Sequence, residues 1–296
     1  MVNVPARLGV ARTAVIAVTG LMLCCAALPA GATTPQPCVG AQPVPISHIV
    51  VIVMENKALT SVIGSPSAPY LSRLAGGCGL AGSYHGVTHP SLPNYLAMTG
   101  GSTFGVTDDK SPAYHRINAP SIFGQLGANW RSYQESMGSN CQKASNGTLY
   151  AVKHNPAAYY TTLTTCARND VPLPANPSFD AALTFVTPNL QHDMHDGSVA
   201  QGDSWAAGFI PKVLSSPQYQ GGFLALFIVW DENDGPNHVA GNQVPCIVVA
   251  RSVPPGTRPN TSYDHYSLLA TWQGLLGLPR LGQAAAAQSM AYAFRI

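Results

Sequence analysis

Three runs of the chain, His48–Met54, 223–230 and 243–250, are apolar along almost their whole length, with no polar residue at every second position. A strand with one wet face alternates, whereas a strand covered on both faces does not, so these runs are what a parallel sheet flanked by helices on each side requires. Leu183–Thr187 adds a shorter fourth strand. Between them lie amphipathic stretches with helical spacing at 68–75, 93–99, 121–129, 204–214 and 265–276. That alternation predicts an α/β sandwich. Residues 108–177, rich in Asn, Tyr, Thr and Pro, carry neither pattern and are expected to form a loop-rich insertion at the mouth of a site.

The N-terminus has the order of a secretory signal: Arg7 and Arg12, an apolar stretch over 13–28, then Ala30-Gly31-Ala32. Cleavage is expected after Ala32, which leaves 33–296 as one domain. The apolar stretch is short for a membrane span, and no later segment offers the roughly 20 apolar residues a transmembrane helix needs. Leu23 and Cys24, which precede Cys24 and Cys25, are not the small residues usual before a lipid anchor. The expected product is therefore soluble, secreted and extracellular, with no transmembrane segment.

Charged residues make up 9% of the chain and the net charge is +2. No run of Lys or Arg supplies a basic surface, so a nucleic-acid partner is not expected. Beyond Cys24 and Cys25 the cysteines are Cys38, Cys78, Cys141, Cys166 and Cys246. In an oxidising compartment, two bridges and one free thiol are the economical arrangement. Cys141 and Cys166 bracket a Tyr/Asn/Thr-rich excursion and are expected to pair, with Cys38–Cys78 second. Cys246 lies inside an apolar run and is expected to be a buried thiol. The irregular spacing argues against a cysteine zinc site.

Polar clusters follow the strands. The first run ends in Glu55-Asn56, the run over 223–230 is followed by Asp231-Glu232-Asn233-Asp234, and Leu183–Thr187 leads to His192-Asp193-Met194-His195-Asp196. In open α/β sheets ligands bind at the carboxyl ends of strands, where separate segments converge. With only 13 acidic residues in the chain, this crowding suggests ligation of a divalent cation that acidifies a nucleophile and neutralises phosphate. Glu55, Asn56, Asp231 and Glu232 are the candidate ligands, although a helix cap or a solvated acidic turn would use the same residue types. His265 opens a helical run, where it is either an anion contact, a ligand of a second metal or a cap. His85, His115, His154 and His238 have no comparable setting and are expected at the surface or in loops.

The turn Thr88-His89-Pro90-Ser91-Leu92-Pro93-Asn94-Tyr95 presents a hydroxyl between two prolines. Ser91 is placed to attack phosphorus and Asn94 to donate to its oxygens, with His89 orienting the hydroxyl or protonating a leaving group. A helix N-cap at Ser91 explains the same residues structurally.

Taken in order, Glu55-Asn56, His89-Pro90-Ser91 with Asn94-Tyr95, the His/Asp cluster over 189–197, Asp203 with Trp205, Asp231-Glu232 and His265-Tyr266-Ser267 resemble the phosphoesterase family. That family, within the alkaline phosphatase superfamily, holds bacterial secreted acid phosphatases and phospholipase C type enzymes. The resemblance is to the short acid phosphatases, among them phosphatidylinositol 3-phosphatases, and runs over about 48–279. It implies a three-layer sandwich with a mixed, mostly parallel central sheet and a covalent phosphoserine at Ser91. It also implies phosphate contact by Asn94, divalent metal at Glu55, Asn56, Asp231 and Glu232, and phosphate contact or a second site at His195 and His265. Relatives often carry Asp-His where this chain has Asp231-Glu232, which favours one ion over two and leaves metal-independent turnover open. The implied partner is a small phosphate ester, such as a phosphoinositide or other lipid headgroup.

In the mechanism this suggests, Ser91 attacks in line, His195 or another acid protonates the alkoxide, and water cleaves the phosphoserine. An acidic working pH follows if the imidazoles must be charged. A phosphodiesterase of phospholipase C type and a non-catalytic phosphate-ligand-binding protein are the alternatives. Gly202-Asp203-Ser204 invites an acyl-esterase reading, but it starts a helix far from the N-terminus and no Gly-x-Ser-x-Gly elbow accompanies it.

Overall fold

The computed structural model describes residues 1–6, 9, 36–235 and 240–296. The expected signal segment falls mostly outside the described residues, as does His238. Residues 36–296 fold as one compact unit.

Its strands are β1 (His48–Met54), β2 (Gly79–Leu80), β3 (Tyr84–His85), β4 (Trp130–Gln134), β5 (Asp170–Pro172), β6 (Leu183–Thr187), β7 (Leu224–Trp230), β8 (Cys246–Val249) and β9 (Tyr263–Asp264). Seven of them form one sheet in the order β2-β8-β7-β1-β6-β4-β5, and β3 pairs with β9 apart from it. β7, β1, β6, β4 and β5 run parallel, while β8 and β2 pair antiparallel at one edge. The sheet is thus mixed and mostly parallel, as the resemblance implied. β7 is buried at every residue and β1 at all but its first, which is why neither alternates.

Helices Pro69–Gly77, Ser91–Gly100, Val199–Leu214 and His265–Leu275 lie close to their expected positions. The helix expected over 121–129 is shorter. Ser121 caps a single turn, Ile122–Gln125, and Gly127, at φ +61°, turns the chain into β4.

Residues 108–177 are not loop throughout, because they supply both β4 and β5. The sequence of β4, Trp-Arg-Ser-Tyr-Gln, looks too polar for a covered strand. Its buried polar groups are satisfied internally: the Gln134 amide donates to Ser132 Oγ at 2.9 Å and to Thr187 Oγ1 at 3.2 Å.

Cys38–Cys78 and Cys141–Cys166 are bridged and Cys246 is a buried free thiol. Among the described residues no helix is long and apolar enough to cross a membrane.

Candidate active site at the carboxyl ends of the strands

The carboxyl ends of β1, β6 and β7 are laced together by the residues that follow them. Glu55 N–H donates to the Asp193 carbonyl at 2.8 Å, and Asp231 N–H donates to the Met54 carbonyl at 3.1 Å. Three segments distant in sequence are thereby fixed at one point. Gly86 passes behind it, where a Cβ would stand 2.6 Å from the Asp231 carbonyl oxygen.

Ser91 begins its helix against this point and is fully buried. Its Oγ lies 3.0 Å from Glu55 Oε2 and 3.2 Å from Glu232 Oε1, so one proton has two carboxylate acceptors. Tyr95, one turn along the helix, donates its hydroxyl to the other oxygen of Glu55. His89 pairs through Nδ1 with Glu232, and its Nε2 has no partner among the described residues.

Glu55, Asp231 and Glu232 are all buried. Burial, then the charge of Glu55, raises the pKa of both Asp231 and Glu232. Burial also pushes Glu55 up, but His154 and Lys153 outweigh it and hold Glu55 below the usual carboxylate range. Among the described residues Asp231 Oδ2 has no hydrogen-bond partner.

Asn56, at φ +42°, turns its side-chain oxygen toward Glu55 Oε2 and Asp231 Oδ1. The opposite amide orientation donates to these atoms at 2.8 and 3.3 Å. Buried acceptor oxygens, one of them orphaned, are the donor type a hard divalent cation takes, so Glu55, Asn56 and Asp231 suit one, with Glu232 joined to them through Ser91 Oγ. A second group, Glu55, His154 and His195, offers ligand atoms within 4.8 Å of one another. There the Lys153 ammonium already stands 3.1 Å from His195 Nε2 and competes with a cation.

The other expected site residues are placed as follows. Asn94 is spent on the backbone: its oxygen accepts from Val87 and Thr88 N–H at 2.9 and 3.0 Å, and its amide donates to the Thr88 and Pro90 carbonyls. It shapes the turn that carries Ser91. His265 is fully buried with both nitrogens engaged, by the Tyr84 hydroxyl at 2.9 Å and the Asp231 carbonyl at 2.6 Å. Burial lowers its pKa to about 4, so it is a neutral prop beneath Asp231. Asp193 accepts from His195 N–H at 2.7 Å, and His195 Nδ1 meets Asp196 at 2.7 Å. His192 pairs with Glu135 and stacks on Trp205. Asp203 accepts from the Tyr70 and Leu71 amides at 3.1 and 2.8 Å, capping the Pro69–Gly77 helix.

His154, expected at the surface or in a loop, lies on a short helical turn and is 2% exposed. It lies between Glu55 Oε2 and Asp193 Oδ2, each 3.2 Å away, and stacks on Tyr95. Burial opposes its charge, yet the two carboxylates outweigh burial and raise its pKa to about 9. Its neighbour Lys153 and the acceptor Asp109 were likewise missed. The available signal was thin: Lys153-His154 before Asn155-Pro156, in a stretch nearly free of charge.

The phosphoesterase family model matches residues 65–279. A phosphatidylinositol-3-phosphatase of Mycobacterium tuberculosis is 32% identical over 247 residues, covering 80% of this chain and 79% of that one. The chain belongs to the phosphoesterase family. An acid phosphatase of Aspergillus fumigatus is 30% identical over 224 residues, which are 68% of this chain and 49% of the relative; the chain spans about half of that protein's length. A solved protein of the alkaline phosphatase superfamily from Vibrio parahaemolyticus matches with a TM-score of 0.56 at 11% identity, covering 83% of this chain and 71% of that one. That likeness is one of fold. The chemistry of the phosphoesterase family is hydrolysis of phosphoric esters.

Proposed function

We propose that the protein is an exported phosphomonoesterase of the acid phosphatase kind, working through a phosphoserine at Ser91. One observation carries this reading: a buried serine hydroxyl at a helix start, facing two carboxylates where three strand ends meet. A structural cap needs neither the carboxylates nor their burial. The two disulfides suit an oxidising compartment, which supports export.

In the first step Ser91 Oγ attacks phosphorus in line and its proton passes to Glu55, the neighbour that His154 and Lys153 keep ionised at acid pH. The bond from Oγ to phosphorus forms as the bond to the leaving oxygen breaks. Burial keeps the proton of the His89–Glu232 pair on Glu232, so His89 carries its own on Nε2; that proton neutralises the departing alkoxide while the one on Glu232 passes to Nδ1. We assign this to His89 rather than His195. The ammonium beside His195 has only protons to offer, so Nε2 accepts from it and Nδ1–H points to Asp196, leaving no proton for the substrate.

In the second step His89 takes a proton from the attacking water. The bond from phosphorus to Oγ breaks, and Glu55 returns the proton to Ser91. A divalent cation held by Glu55, Asn56, Asp231 and Glu232 would neutralise phosphoryl charge and ease loss of the serine proton.

The Mycobacterium relative's name makes a phosphoinositide the first headgroup to try. The test is release of inorganic phosphate from a monoester and a matched diester across pH. Turnover of the monoester with an acid optimum supports the reading. Turnover of the diester alone points to a phospholipase C type activity, and turnover of neither leaves a binding protein.

A further inference from the structure

Lys153 lies on the short helical turn Val152–His154, beside the helix that carries Ser91. Its side chain is 18% exposed, and its ammonium touches Asp109 Oδ2 at 3.0 Å and His195 Nε2 at 3.1 Å. The other oxygen of Asp109 accepts from Leu92 N–H at 2.9 Å, the amide that directly follows Ser91. One carboxylate therefore bridges an ammonium and the amide that follows the hydroxyl meant for phosphorus. Those are the donors that the oxygens of a phosphoryl group on Ser91 need.

We infer that Lys153 binds the substrate's phosphoryl oxygens, and that Asp109 occupies their place until substrate displaces it. This rests on the phosphate-ester reading of the site.

Charge makes such a residue necessary. Glu55 and Glu232 both meet the hydroxyl that a phosphate dianion must approach, and the ionised Glu55 repels it. Lys153 supplies a full positive charge at that point. Its ammonium is held charged because Glu55 and Asp109 outweigh the effect of burial. Asp109 is 29% exposed at the side chain, so it can turn out to solvent while Lys153 and the Leu92 amide stay in place. A carboxylate in contact with both donors mimics the ligand and keeps the ammonium aimed into the site.

The two roles open to Asp109 make opposite predictions. If Asp109 stands in for phosphate, Asp109→Asn weakens the competitor while keeping an oxygen for Leu92 N–H, and phosphate binds more tightly. If Asp109 merely props Lys153, the same change loosens binding.

The experiment is calorimetric titration of inorganic phosphate into the mature chain and into Lys153→Met, Lys153→Arg and Asp109→Asn, with an unfolding midpoint for each. The expected results are severalfold tighter binding in Asp109→Asn, at least about tenfold weaker binding in Lys153→Met and partial recovery in Lys153→Arg. In turnover, Lys153→Met raises KM more than it lowers kcat. Unchanged affinity in Lys153→Met, or weaker binding in Asp109→Asn, overturns the inference alone. If Lys153→Met does not fold, the direction of change in Asp109→Asn decides. A parent chain that binds no phosphate removes the phosphomonoesterase reading and this inference together.

Discussion

Ser91 Oγ stands 3.0 Å from Oε2 of Glu55, a residue 36 positions earlier that follows the central strand β1. The strand end fixes the carboxylate and the helix start fixes the hydroxyl, so the pair meets without a flexible loop between them. Rigid elements on both sides are what a nucleophile and its proton acceptor require.

Replacing Ser91 with Ala should lower phosphate release by roughly a thousandfold or more, since among the described residues no other hydroxyl meets both Glu55 and Glu232. Acid quenching of the wild-type protein during turnover of a labelled monoester should trap label on Ser91. Equal turnover in the variant, or label on a different residue, would remove Ser91 as nucleophile.

Removing divalent ions with a chelator should lower the unfolding midpoint, and restoring them should raise it. Saturation at about 100 times the dissociation constant adds about 2.7 kcal/mol by linkage. Asp231→Asn should abolish most of that gain. Identical midpoints with and without chelator count against a cation at Glu55, Asn56, Asp231 and Glu232.

Asp203 holds two amides at the start of the Pro69–Gly77 helix. Asp203→Ala should cost about 1–2 kcal/mol in denaturant unfolding, as the loss of a helix cap does, with turnover of the folded protein unchanged. A loss of turnover at undiminished stability would return Asp203 to the reacting site.

Asp170 gives the stability a pH dependence of known sign. Its carboxyl is buried, one oxygen accepts from Asn155 at 2.8 Å, and burial pushes its pKa up to about 7 from 3.8. The folded chain therefore keeps this proton after the unfolded chain has lost it. Stability should fall as pH rises from about 4 to about 7, by on the order of a few kcal/mol, and level off above. Asp170→Asn should remove that part of the slope and stabilise the protein at pH 8. Parallel curves for the two proteins between pH 4 and 8 would contradict this.

Elements with one strong local signal were legible before the structure. β1, β6 and β7 announce themselves through continuous apolar runs, and Glu55, Ser91, Asp231 and Glu232 stand out because acidic residues are scarce and follow strands. β4 was not legible, because its buried Ser132 and Gln134 read as exposed until their hydrogen-bond partners are known. His154 was hidden for a related reason: a histidine in a loop-like stretch reads as wet unless the carboxylates that charge and bury it are seen.

The sequence by itself determined that the chain makes a covered, mostly parallel sheet with polar groups gathered at strand ends. Periodicity and composition are local properties that survive without coordinates. Only the tertiary structure decided which of those groups meet. It placed Asn94, Asp203 and His265 against backbone atoms, set His154 against Glu55, and set Asp109, with Lys153, against the amide that follows Ser91. Such meetings depend on the crossing of segments far apart in the chain, and no local pattern encodes the distance between them.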